Sequence, residues 1–153
     1  AVIATNTTVN SNAYARAIHA HDPQARVQSQ ACPLLVPLVE EGWLEHDVTR
    51  LTVREYLKPI LADDADTLVL GCTHYPLLKP LLREEAPRLA LVDSATTTAA
   101  HTAQALTAAG LLRQSGDSAH YRYCVSDIPL RFRAIGERFL GRSIDDLETV
   151  RLG

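Results

Sequence analysis

The chain has 153 residues, 46% of them hydrophobic and 22% charged, with 18 acidic against 15 basic groups and a formal charge of −3. That balance specifies a folded domain with a sizeable core and excludes a disordered chain. No basic stripe marks a nucleic-acid footprint, and residues 92–112, with Thr, Gln, His and Asp among them, are too polar to cross a bilayer as a helix.

Met is absent, and the apolar run Ala1-Val2-Ile3-Ala4 opens the chain. Domains seldom begin in mid-strand, so this predicts a piece of a longer polypeptide, with removal of a Met before Ala1 as the alternative. Residues 2–5 read as a short buried strand stopped by a polar turn, Asn6-Thr7-Thr8. Ser11 or Asn12 caps a helix running to His21, which Asp22-Pro23 ends. Residues 27–32 alternate as a second strand. Leu34, Leu35, Leu38 and Val39 lie at helical spacing, closed by Gly42. Thr49 precedes a helix burying Val53, Tyr56, Leu57, Ile60 and Leu61, which Pro59 kinks or deprives of a backbone bond. Thr67-Leu68-Val69-Leu70 is apolar on both faces, as a central parallel strand requires.

Pro76 starts a helix with Leu77, Leu78, Leu81 and Leu82 as its buried side. A strand over 89–92 follows, then an Ala-rich helix over 96–112 ended by Gly110 or by the turn Ser115-Gly116-Asp117. A strand over 121–125, a helix over 129–140 stopped by Gly141, and a strand over 148–152 complete the chain. Strands alternating with helices predict an α/β fold, a three-layer domain whose mostly parallel sheet is flanked by helices. Such sheets bind ligands at the carboxyl ends of their strands. The weakest join lies at residues 93–98.

The densest chemistry is Gly71-Cys72-Thr73-His74-Tyr75-Pro76, directly after the most apolar strand. The following helix end supplies partial positive charge that favours thiolate over thiol at Cys72. His74, two residues on, shares a side with Cys72 in extended backbone and can hold a proton or orient the thiol. The competing readings are an inert buried cysteine, half of a zinc site, and a Cys/His nucleophile. His19, His21, His46, His101, His120, Cys32 and Cys124 complete no ligand spacing, so no metal is expected. Three cysteines at wide spacing make no disulfide framework and read as reduced thiols in a cytosol. Thr5-Asn6-Thr7-Thr8 can hold a carboxylate or phosphate, or merely cap a helix. Glu40 and Glu41 form a solvated face unless a ligand carries an amino group. Asp93-Ser94 caps the Ala-rich helix.

Leu70-Gly71-Cys72-Thr73-His74-Tyr75-Pro76-Leu77-Leu78 closely resembles the second catalytic-cysteine segment of bacterial glutamate racemases, in the aspartate/glutamate racemase superfamily. Three more segments agree in order: Val2-Ile3-Ala4-Thr5-Asn6-Thr7-Thr8-Val9, the stretch from Ala31-Cys32-Pro33 to Glu40-Glu41-Gly42, and Leu91-Val92-Asp93-Ser94-Ala95. The resemblance implies one lobe of a two-lobe racemase fold. Residues 1–95 would be the second lobe, and residues 96–153 a return segment that completes the first.

It further implies cofactor-independent inversion at the Cα of glutamate by two cysteines, supplying D-glutamate for peptidoglycan in the cytoplasm. Cys72 would be the acid/base on one face, assisted by His74. Thr73 and His74 would contact substrate, Thr5 and Thr8 would hold its carboxylate, and Glu40 would act near His74. Cys32 and Cys124 match no catalytic position and are assigned to packing. The family's Asp-Ser-Gly, Pro-Tyr-Gly and Cys-Asn-Thr segments are absent from this sequence, so the chain alone is expected to be inactive. Leu106, Leu111, Phe132, Ile135 and Phe139, lacking the first lobe, would drive self-association. The alternatives are a racemase for aspartate or a hydantoin, or a non-catalytic module binding an amino acid or a protein.

Overall fold

Four short strands, β1 (Val2–Ala4), β2 (Ser29–Ala31), β3 (Thr67–Gly71) and β4 (Ala90–Asp93), pair in parallel in the order β2-β1-β3-β4. The coordinates are a computed structural model that describes residues 1–116, 118–127 and 129–151. They divide into two units, Ala1–Leu111 and Leu112–Gly153. In the first, Ala4 lies opposite both Ala31 and Gly71, and Leu70 lies opposite Asp93. Parallel strands in this register end together, so Thr5, Cys32, Cys72 and Ser94 leave the sheet along one edge.

The helices between and after them are α1 (Asn6–Ser11), α2 (Ala13–His21), α3 (Leu35–Glu40), α4 (Asp47–Ala62), α5 (Lys79–Glu85) and, following β4, α6 (Ser94–Ala108). The polar turn expected at residues 6–8 is instead the first turn of α1. Thr5, in extended backbone, starts that helix, and the Val9 amide donates to its carbonyl at 3.0 Å. The chain then bends at Asn12, whose φ of 53° only Gly, Asn or Asp adopts readily. α4 begins at Asp47, ahead of Thr49, because the His46 Nδ1 accepts the Val48 amide at 3.1 Å. Thr49 is buried and donates to the Trp43 carbonyl at 2.5 Å. Pro59 is itself exposed and lies in the last turn of α4, which runs on to Ala62. The helix expected from Pro76 is divided into a 3₁₀ turn (Tyr75–Leu78) and α5. Pro80 has no N–H with which to carry an α-helical ladder across that junction.

One face of the sheet makes the core. Ile3, Leu68 and Leu70 pack against Leu35 and Val39 of α3, Val53, Leu57 and Ile60 of α4, and Leu81 and Leu82 of α5. Each such side chain taken fully from water contributes about 1.5–3 kcal/mol. On the other face lie Val2, Ala4 and Gly71, the last against the Tyr14 ring of α2. That face is less covered than the apolar run of β3 predicts. Val92 is 40% exposed, and α6, whose small Ala and Thr side chains bring little apolar area, buries no residue.

In the second unit β5 (Tyr123–Val125) pairs in parallel with β6 (Leu147–Thr149), and α7 (Pro129–Leu140) makes the crossover. Val125 and Ile144 are its buried apolar residues among those described. Cys124, expected in packing, is exposed, because it alternates with the inward Val125 on a two-stranded sheet with one covered face. Asp117 of the predicted turn and Leu152 of the predicted last strand lie outside the described residues. Among the described residues no helix is long and apolar enough to cross a membrane.

Candidate active site

The site forms where β3 runs out. Gly71 is the last residue of the strand, at a point where a larger residue would press on its neighbours. A Cβ would stand 3.0 Å from the Ala4 Cβ, the Ile3 carbonyl oxygen and the Tyr14 ring. Cys72 follows it, half-buried against the core. The backbone then tightens, with the Tyr75 amide donating to the Cys72 carbonyl and the Leu77 amide to that of His74, each at 3.2 Å. This turn holds Cys72, Thr73 and His74 at the carboxyl edge of the sheet, where parallel α/β folds bind ligands. The turn is anchored from within by Tyr75. Its ring is buried, and its hydroxyl donates to the Cys32 carbonyl at 2.9 Å, across to the end of β2. Burial raises the Tyr75 hydroxyl's pKa, so it remains a donor.

His74 is the hub of the predicted set. Its Nε2 lies 3.3 Å from Glu40 Oε1, and its Nδ1 lies 3.2 Å from the exposed Thr73 hydroxyl. Glu40 is the last residue of α3, the end of a helix least suited to a carboxylate. Its pairing with His74, rather than helix stability, explains its place. Thr5, directly after the neighbouring strand β1, and Thr8, in the following helix α1, pair with each other, Oγ1 to Oγ1 at 3.1 Å. Thr5 stands at the start of α1 but makes no side-chain cap. The capping role weighed for this residue is therefore not what its hydroxyl does. Glu41 is exposed.

Cys32 is fully buried at the end of β2, and burial pushes its thiol up to about 12. It donates weakly to the Gln30 carbonyl at 3.6 Å and belongs to the core. Among the described residues no three His, Cys, Asp or Glu side chains converge as a metal site would require. A cleft of about 660 Å³ opens at the opposite, amino-terminal edge of the strands, lined by Asp22, Arg26, Gln28, Asp63 and Asp66. None of the predicted site residues lines it.

Lys79, beside the site, has no role in the sequence reading, and Asp93 does more there than the expected capping. Asp93, at the end of β4, does cap α6, accepting the Thr96 amide at 2.9 Å. Its second oxygen also takes the ammonium of Lys79. Lys79 is a cation in the first turn of α5, where the helix dipole disfavours it. That mismatch was the available signal of a partner elsewhere.

The Asp/Glu/hydantoin racemase family model matches residues 1–102. The chain is 68% identical over 152 residues to the glutamate racemase of Neisseria meningitidis (serogroup C, serotype 2a), covering 99% of this chain and 56% of that relative. It is 60% identical to that of Syntrophus aciditrophicus, with the same coverage. The crystal structure of glutamate racemase from Francisella tularensis in complex with D-glutamate superposes with a TM-score of 0.90 at 38% identity, over 97% of this chain and 56% of that one. The chain thus spans about half the length of the curated relatives it matches.

Proposed function

The chain belongs to the Asp/Glu/hydantoin racemase family, and from that premise we propose that it provides one face of a glutamate racemase site. Cys72 is the acid/base of that face. Its thiolate takes the α-proton of glutamate, and a thiol on the opposite side of the substrate returns a proton there, so the configuration inverts without a cofactor. Removing a proton from carbon builds negative charge toward the α-carboxylate, which hydrogen-bond donors must meet as it grows. Thr5 and Thr8, at the end of the adjoining strand, hold that carboxylate. Thr73 and His74 contact the substrate, and His74, steadied by Glu40, assists the proton held at Cys72. The D-glutamate so formed supplies peptidoglycan in the cytoplasm. On this reading residues 1–95 form the lobe with the Cys-Thr-His motif. Residues 96–153 belong with a first lobe, and their exposed apolar groups drive self-association of this chain.

The observation that carries the reading is the half-buried Cys72 beside the His74–Glu40 pair, on the edge it shares with the Thr5–Thr8 hydroxyls. Iodoacetamide labelling followed by peptide mass spectrometry tests it. Saturating glutamate slows labelling of Cys72 and leaves the exposed Cys124 unaffected, while a coupled assay on this chain alone detects no D-glutamate formation. Equal labelling of Cys72 with and without glutamate overturns the substrate assignment, and turnover by the chain alone overturns the two-thiol requirement.

A further inference from the structure

We propose that Lys79 and Asp93 are positioning residues for Cys72, forming a charged clamp that closes the far end of its loop onto the sheet. The inference rests on the reading of Cys72 as the acid/base. The loop leaves the sheet at Gly71, and Leu70 just before it is the register partner of Asp93. It returns at Lys79, the first residue of α5. The Lys79 ammonium reaches back to Asp93 Oδ2, so one end of the loop is fixed to β3 and the other to the adjacent β4. Between them Tyr75 is held by the Cys32 carbonyl and His74 by Glu40.

Three features separate this pair from an ordinary surface ion pair. The Asp93 side chain is only 3% exposed and that of Lys79 22%, so solvent screens the attraction little. The carboxylate is aimed beforehand, since its other oxygen accepts the Thr96 amide at 2.9 Å and the Thr96 hydroxyl lies 3.1 Å from Oδ2. Lys79 gains nothing from its own helix, where a cation opposes the dipole. A cation held there against local preference, and seated on a nearly dry carboxylate, fixes geometry at that point.

The three cysteines provide the test. Cys32, buried in the same unit, reports opening of the core, and Cys124, in the other unit, reports reagent chemistry alone. Lys79→Met keeps the aliphatic stem and removes the ammonium. It raises the iodoacetamide labelling rate of Cys72 about fivefold at neutral pH by loosening its loop locally, with Cys32 still protected and Cys124 unchanged. Asp93→Asn, which can still cap α6, gives the same rise, the double variant gives no more than either single one, and Lys79→Arg restores the parent rate. The proposal is overturned if Cys72 labelling is unmoved in both single variants, if Cys32 becomes labelled along with it, or if Lys79→Arg fails to restore it. These ratios of variant to parent are taken without glutamate, so their outcome is independent of whether glutamate protects Cys72.

Discussion

Asp93 shows how one side chain couples local chemistry to stability. The Lys79 ammonium first, and then the Thr96 amide, hold its carboxyl at about 2, below the ordinary 3.8, although burial opposes them. A carboxyl whose folded pKa lies below its unfolded one stabilises the fold above the unfolded value and loses that contribution as pH falls through the folded value. The stabilisation is about 2 kcal/mol, and it disappears between about pH 4 and about pH 2. Denaturant unfolding across that range should show the parent losing this increment while Asp93→Asn, with no group to protonate, does not. Parallel curves for the two proteins would remove the assignment. Cys32 and Cys72 make the opposite comparison. Both follow strand ends, yet one thiol is sealed in the core with its pKa pushed up to about 12, and the other meets solvent.

The terminations of elements decide more than their interiors. α3 is closed by Gly42 just beyond its end, where φ is 78°; the Gly42 amide donates to the Val39 carbonyl and the next amide, from Trp43, to that of Leu38. This double closure satisfies the last carbonyls and ends the helix just past Glu40. β3 ends at Gly71, where space is tight, and Gly71→Ala should destabilise the fold by about 1–3 kcal/mol through overpacking against Ala4 and Tyr14. It should also shift the Cys72 loop, seen as altered amide resonances for residues 72–78 in a folded variant. Unchanged stability and spectra would show that the neighbours give way freely. α4 and α5 are tied by Glu85, which accepts from both Arg50 and Arg54 and whose carboxyl is held below its usual range by them. That tie fixes α5, and with it Lys79, relative to the core.

Across the molecule, cover is uneven. The α3–α5 side of the sheet is dry, whereas α6 buries nothing and leaves Leu106 38% exposed, and Leu111 just beyond it is 71% exposed. In the second unit Phe132 and Phe139 are each 41% exposed, while Ile135 is half-buried. Apolar surface of this kind favours association. Sedimentation should give a concentration-dependent mass above that of one chain, and Leu106→Glu with Phe132→Glu should move it toward the monomer. A single monomeric species at all concentrations would refute self-association.

The sequence by itself determined the α/β class, the order of strands and helices, and the place of the Cys72 motif. Periods of 2.0 and 3.6, Gly and Pro punctuation and a run of named residues are all local properties. It also placed Thr5 and Thr8 among the candidates by their position after a strand, and Glu40 through the resemblance. Only the tertiary structure decided that residues 6–8 are helical, that the Thr5 hydroxyl pairs with Thr8, and that Cys124 faces outward. It alone brought Tyr75 to the Cys32 carbonyl and Lys79 to Asp93. Each of these contacts crosses between elements. Their partners are chosen by strand order and register, which align the ends of β2, β1, β3 and β4 on one edge. No local pattern encodes which residue will stand across that edge.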